Sequence, residues 1–135
     1  MEPAAPADEN SGSHVFAYGS LMFPAVCEAV IGRIPTWRAA HVGGWLASSV
    51  PGAPYPALVP DADATTDGLL LGGITEHELA MLDRYEGSDF RRTELLIQPG
   101  DMRAWVWVAG DPAIVTGETW DPGAFERQLS EYLGR

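Results

Sequence analysis

Along the chain, apolar residues recur at every second position in some segments and at every third and fourth in others, and the changes of period mark the elements. From His14, HVFAYG reads as a buried strand that runs straight into Ser20, Leu21, Met22 and Phe23. Pro24 suits the first turn of a helix over residues 24–31, which puts Val26, Cys27, Val30 and Ile31 on one face and stops at Gly32. WRAAHVGGWLASSV reads as a strand interrupted at Gly43 and Gly44, where a bulge or bend is expected. PGAPYPALVP is proline-punctuated and partly extended, and DADATTD is an acidic loop. GLLLGGI, with Gly68, Gly72 and Gly73, fits a buried strand bent sharply enough to imply barrel-like curvature.

The clearest local signal follows. Thr75 and Glu78 form a T-x-x-E capping box, Ile74 and Leu79 occupy the two positions of a hydrophobic staple, and a helix therefore starts at Glu76. Leu79, Leu82 and Tyr85 continue its apolar face, Gly87 ends it, and Glu86 falls in its last turn. FRRTELLIQ and MRAWVWVAG alternate as strands, and the turn Pro99-Gly100-Asp101 joins them as a hairpin. Met102, Ala104, Val106 and Val108 share one face, with Trp105 and Trp107 on the other. A C-terminal helix is signalled by Asp121 as cap, Pro122 at its first position and Trp120 with Phe125 as a staple, docking through Phe125, Leu129 and Tyr132 or Leu133. Strands and helices mix without regular alternation, which favours an α+β fold.

Composition narrows the function. A chain of 135 residues, 46% apolar and 20% charged, is the size of one domain with one core. Residues 1–13, rich in Pro, Ala, Ser and acidic side chains, are expected to be a loose tail before a domain over 14–135. A net charge of −11 opposes binding to nucleic acids and anionic membranes. All eight basic residues are Arg, so a lysine Schiff base is excluded. Cys27, the only cysteine, sits among apolar neighbours at helical spacing and reads as a core thiol. With no long apolar span and an acidic start where a secretory signal would be basic, a cytoplasmic location is expected.

Familiar chemical motifs are missing: no phosphate-binding G-x-x-x-x-G-K-[ST], no G-x-G-x-x-G after a strand, no H-E-x-x-H. His14, His41 and His77 are scattered singly, and no metal is expected. Ser20 lacks the second glycine of a nucleophile elbow, which leaves serine hydrolysis as a weaker alternative. The turn around Gly19 could aim consecutive N–H groups at one anion, although on its own an ordinary tight turn is the simpler reading. For Glu86 the simpler reading is a solvated side chain at a helix end. Burial and the negative end of the helix dipole would instead raise its pKa, as a general base at neutral pH requires. Arg84, Arg91 and Arg92 could oppose that shift.

Taken together, VFAYGSL, YPALVP, the strand at Gly68, LDRYEGSDFRR and RAWVWVA, in this order, resemble the gamma-glutamylcyclotransferase-like superfamily. YGSLMFP before a helix is most similar to the branch that includes plant avirulence-induced-gene proteins and bacterial relatives. The resemblance covers about residues 14–133. It implies an α+β fold, a small mixed β-barrel with peripheral helices, and a cavity at one end. Tyr18, Gly19, Ser20 and Leu21 would form the substrate-binding loop and Glu86 would be the base, with Tyr55 and Phe90 as further pocket-wall candidates. The implied reaction closes a small γ-glutamyl amine or peptide to 5-oxoproline without a cofactor, the substrate being the one partner expected. Phe90 departs from the pattern, since the family commonly has Tyr there. A non-catalytic small-ligand-binding module, or another acyl transferase or hydrolase using the same cavity, remains the alternative on this scaffold.

Overall fold

Strand β1 (Ser13–Ala17) is the centre of the molecule, and its alternation explains the architecture. Val15 and Ala17 face one apolar core, and Phe16 with the following Tyr18 faces another. The computed structural model describes residues 12–134. After β1 come a 3-10 turn (Ser20–Met22), α1 (Pro24–Ile31), β2 (Thr36–Ser49), β3 (Pro56–Ile74), α2 (Glu76–Glu86), β4 (Phe90–Ile97) and β5 (Met102–Ala109). A second 3-10 turn (Pro112–Ile114), α3 (Pro122–Arg127) and α4 (Leu129–Leu133) follow. One five-stranded sheet has the order β2-β3-β1-β5-β4, with β1 and β5 parallel and the other pairs antiparallel. The fold is α+β.

The helices cover one face of the sheet. There Val26, Cys27 and Ile31 of α1, Leu79 and Leu82 of α2, and Phe125 of α3 pack on Val15, Ala17, Leu71 and Trp107. No helix residue belongs to the core on the other face, where Phe16, Tyr18, Val42, Leu58, Leu70, Ala104, Val106 and Val108 meet one another. A sheet can bury such a face only by curling on itself. It does so until its edges meet at one bridge, where His41 and Gln98 exchange backbone hydrogen bonds of 2.9 and 2.8 Å. The barrel-like curvature read from the glycines is present, but the edges join at that bridge and not along a continuous ladder.

Local signals act where they were expected. Thr75 accepts from the Glu78 N–H at 3.1 Å and the Glu78 carboxylate accepts from the Thr75 N–H at 3.0 Å, completing the capping box. Arg33, just past the end of α1, donates to the same carboxylate at 2.6 and 2.7 Å and ties the two helices together. Ala104, Val106 and Val108 enter the core inside the curl, while Trp105 and Trp107 lie on the helix side.

Three expectations change. The acidic segment is part of the 19-residue β3, in which residues 65–67 pair with β2 while residues 61–64 bulge out opposite Gly44. Pairing with β2 holds residues 65–67 whatever their side chains, and Thr65 and Asp67 face solvent; Thr66, the buried exception, donates to the Trp45 carbonyl at 2.8 Å. The C-terminal helix is two short helices broken at Gln128, docked by Phe125, Leu129 and Tyr132 while Leu133 is exposed. Of the tail expected over residues 1–13, residues 1–11 lie outside the described residues. Ser13 already pairs with Ile74 in the sheet.

At Gly68, β3 leaves no room for a side chain beside β1. A Cβ there would overlap the Ala17 carbonyl oxygen and stand 2.8 Å from Cζ of Phe16. Gly68→Ala is expected to destabilise the fold by about 1–3 kcal/mol, the usual range for an overpacked core. Urea denaturation checks this, and an unchanged midpoint would show that the strands can part without cost.

Candidate active site

The site is built where β1 stops. The hydroxyl of Tyr18 donates to the Trp107 carbonyl of β5 and accepts the Leu58 N–H of β3 at 3.2 Å. Burial holds this phenol well above the ordinary tyrosine range, and the nearby charge of Glu86 adds to the effect. Its polar atom is therefore spent on structure, and its ring forms a wall. At Gly19 the Pro56 ring passes so close that a Cβ would sit 3.0 Å from its Cδ.

The chain then tightens into the Ser20–Met22 turn, with Met22 N–H bonded to the Gly19 carbonyl at 3.0 Å and Phe23 N–H to that of Ser20 at 3.1 Å. The N–H groups of Gly19, Ser20 and Leu21 find no backbone acceptor among the described residues. Helical turns leave their first donors unsatisfied, and such donors suit an anion. Cys27 donates its thiol to the Leu21 carbonyl at 3.2 Å from beneath, and burial pushes this thiol up to about 11. That agrees with a core role and not a nucleophilic one.

Glu86 is the last residue of α2, stopped by Gly87 at a φ of 86°. Among the described residues its carboxylate has no hydrogen bond or ion pair, and burial pushes its pKa up to about 8. The question of the arginines has a geometric answer. Arg92 bonds Asp83 at 3.2 Å and stacks over Trp105 with its guanidinium carbon 4.6 Å from the ring centre, while Arg84 and Arg91 are exposed. Asp83 also accepts the Trp107 indole N–H at 2.9 Å. One turn before Glu86, then, Asp83 pairs with Arg92 and fixes a wall of the site, and burial acts on Glu86 unopposed.

These groups enclose one small cavity, lined by Phe16, Ala17, Tyr18, Gly19, Ser20, Leu21, Pro56, Glu86 and Trp107. Five of the seven residues singled out from the sequence meet there: Tyr18, Gly19, Ser20, Leu21 and Glu86. Tyr55 and Phe90 pack against each other with ring centroids 6.2 Å apart and do not line it. The cavity holds about 20 Å³, room for roughly one water molecule, so any larger ligand must spread its walls. A hollow of about 650 Å³ near Arg33 and Thr75 lies elsewhere and contains neither Glu86 nor the Gly19 turn. Sequence reasoning missed Trp107 and Pro56 as walls. The alternation in β5 had placed Trp107 on the face opposite Ala104 and Val106, but nothing local linked it to Glu86.

A family model described as gamma-glutamyl cyclotransferase, AIG2-like, matches residues 15–122. AIG2-like protein C of Arabidopsis thaliana is 32% identical over 113 residues, covering 79% of this chain and 65% of that protein. AIG2-like protein D of the same plant is 32% identical over 114 residues, covering 79% and 74%. The matched part of the chain thus spans about two thirds to three quarters of these relatives. A solution structure of another Arabidopsis thaliana protein superposes with a TM-score of 0.70 at 26% identity, over 90% of this chain and 77% of that one. A second gives 0.69 at 28%, over 90% and 85%. A Pyrococcus horikoshii crystal structure, 12% identical with a TM-score of 0.60 over 92% and 98%, shares the fold.

The isolation of Glu86 has a thermodynamic consequence. Its folded pKa of about 8 exceeds the ordinary glutamate value of about 4.3, so folding favours the protonated form. That stability is fully present below the unfolded value and is lost as pH rises through the folded one. Glu86→Gln, which cannot ionise, is expected to gain on the wild type by up to about 1.4 kcal/mol per pH unit across that interval. Denaturation of both proteins at intervals from acid to mildly alkaline pH measures this; parallel stability curves would mean the carboxylate is neither buried nor isolated.

Proposed function

Because the chain belongs to the gamma-glutamyl cyclotransferase, AIG2-like family, we propose that it releases 5-oxoproline from a small γ-glutamyl amine or peptide, with Glu86 as general base and then general acid. Family membership supports a cyclotransferase-type function. The observation that carries the specific reading is the unpaired, buried carboxylate of Glu86 facing the same cavity as the turn at Gly19.

The substrate's α-ammonium gives a proton to the Glu86 carboxylate, and the freed amine attacks the γ-carbonyl carbon. The C–O π bond opens and a five-membered ring closes. On collapse of the tetrahedral intermediate the bond from the γ-carbon to the leaving nitrogen breaks as Glu86 hands its proton to that nitrogen; Glu86 then takes the second proton that the attacking nitrogen must shed and passes it to the departing amine, which leaves as its ammonium. The products are 5-oxoproline and an amine or amino acid. N–H groups of residues 19–21 are suited to the substrate's α-carboxylate or to the developing oxyanion. Nucleophile and electrophile lie in one molecule, so proximity comes with the substrate.

Admission of a glutamyl group requires widening of the cavity. Tyr18 is pinned at its hydroxyl and Trp107 at its indole nitrogen. Pro56 is the first residue of β3, directly after the turn from β2.

A base must be deprotonated to act, so kcat/KM is expected to rise with pH and level off above about 8. Glu86→Gln should stay folded and lose about 10²- to 10⁴-fold in kcat. The assay is a panel of γ-glutamyl amines and dipeptides scored for 5-oxoproline. Full turnover in the variant removes Glu86 from the mechanism, and ligand-induced stabilisation of the wild type without release identifies a binding module instead.

A further inference from the structure

One half-buried row of hydroxyls touches the cavity and plays no part in the reaction as described. The Ser20 hydroxyl, in the cavity wall, lies 2.7 Å from the hydroxyl of Tyr85, which in turn lies 2.6 Å from the hydroxyl of Tyr132. Tyr85 immediately precedes Glu86 in α2, and Tyr132 belongs to α4, beyond the last residue matched by the family. No other partner of these hydroxyls occurs among the described residues, so the three form a closed account. They carry three protons and make two hydrogen bonds, so one proton is left over.

Three arrangements are possible, the third being acceptance by Tyr85 from both neighbours with its own proton spare. If Ser20 donates to Tyr85 and Tyr85 to Tyr132, the spare proton points outward from Tyr132. If Tyr132 donates to Tyr85 and Tyr85 to Ser20, the spare proton belongs to Ser20 and is free to donate into the cavity. An anionic oxygen beside Ser20 selects the second arrangement, and each bond in such a row polarises the next. Burial, with the hydrogen bond to Tyr132 and the charge of Glu86 adding, holds the Tyr85 phenol far above its ordinary range, so the middle hydroxyl of the row keeps its proton.

We propose that Tyr85 and Tyr132 are positioning residues that turn the Ser20 hydroxyl into a hydrogen-bond donor toward a carboxylate or oxyanion bound in the Glu86 cavity. The role of the oxyanion rests on the reaction proposed above; the binding of a carboxylate does not. The C-terminal helices thereby become part of the binding apparatus, acting through two hydroxyls without entering the cavity.

A double-mutant cycle in the full chain tests it. Tyr132→Phe keeps the ring that packs on Phe125, Tyr85→Phe keeps the ring that packs against the core, and Ser20→Ala removes the donor itself. Each of the three is expected to lower kcat/KM, Tyr132→Phe by about 3- to 10-fold, the usual worth of one hydrogen bond. In a Ser20→Ala background, Tyr132→Phe should cost nothing further. An undiminished cost in that background, or an unchanged kcat/KM in Tyr132→Phe alone, overturns the proposal, because a merely structural tyrosine would act independently of Ser20. If no γ-glutamyl compound is turned over, the reaction assigned above fails, and the same cycle is read on calorimetric affinity for 5-oxoproline and L-glutamate. Loss of affinity that vanishes in Ser20→Ala supports the proposal; additive losses, or no binding of either acid by the wild type, overturn it.

Discussion

A buried phenol must find partners for its hydroxyl, and in this protein that requirement falls on Tyr18. Its oxygen lies between the Trp107 carbonyl of β5 and the Leu58 N–H of β3, past the end of the strand it follows. Leu58 belongs to the first part of β3, whereas β1 pairs with the last part, residues 69–74. One side chain thus spans the inside of the curl. Had Tyr18 been phenylalanine, a carbonyl and an amide would face each other in an apolar interior without a partner, at a cost of about 1–3 kcal/mol for each group left unsatisfied. The curl of the sheet, the closeness of β1 to β3 at Gly68 and the position of the Gly19 turn all follow from holding these strands in register around that ring.

The same residue separates structure from chemistry. With its hydroxyl committed, Tyr18 offers the cavity only ring surface. The polar groups left over are Ser20, the turn's N–H donors and Glu86. Asp83 divides the labour again: it takes the guanidinium of Arg92 and the indole of Trp107, both of which stand on the hairpin beside α2. Two carboxylates one helical turn apart consequently live in different electrostatic surroundings. One is satisfied by a cation and a donor, and the other has neither, a division of the kind that sets acid–base roles in enzymes.

Much of this was legible in the sequence because it depends on neighbours in the chain. Thr75 with Glu78, Ile74 with Leu79, Asp121 with Pro122, and the alternation of β5 are local patterns, and local physics decides them. The meeting of Tyr18, Gly19, Ser20, Leu21 and Glu86 was legible only through resemblance, since no spacing rule brings residue 20 to residue 86. The acidic stretch before Gly68 misled for a related reason. Its side chains carry loop chemistry, but long-range backbone pairing with β2 decides the conformation of residues 65–67. Contacts made by Trp107, Arg92 and Tyr132 depend on how the hairpin and the C-terminal helices lie over α2, which periodicity does not encode. Tyr85 read correctly as part of an apolar face, and that reading concealed its hydroxyl.

Cys27 supplies a last consequence. Its thiol is the only one in the chain, is sealed beneath the Leu21 carbonyl, and needs a pH near 11 to ionise in place. A thiol-specific reagent at neutral pH can reach it only during moments when α1 lifts from the turn or the domain comes apart. The rate of covalent capture then counts those excursions directly, with no label introduced and no second sulfhydryl to confuse the signal. This clock for local opening is bonded to Leu21, a residue of the cavity wall, and its ticking reports how often the Gly19 turn loses its support.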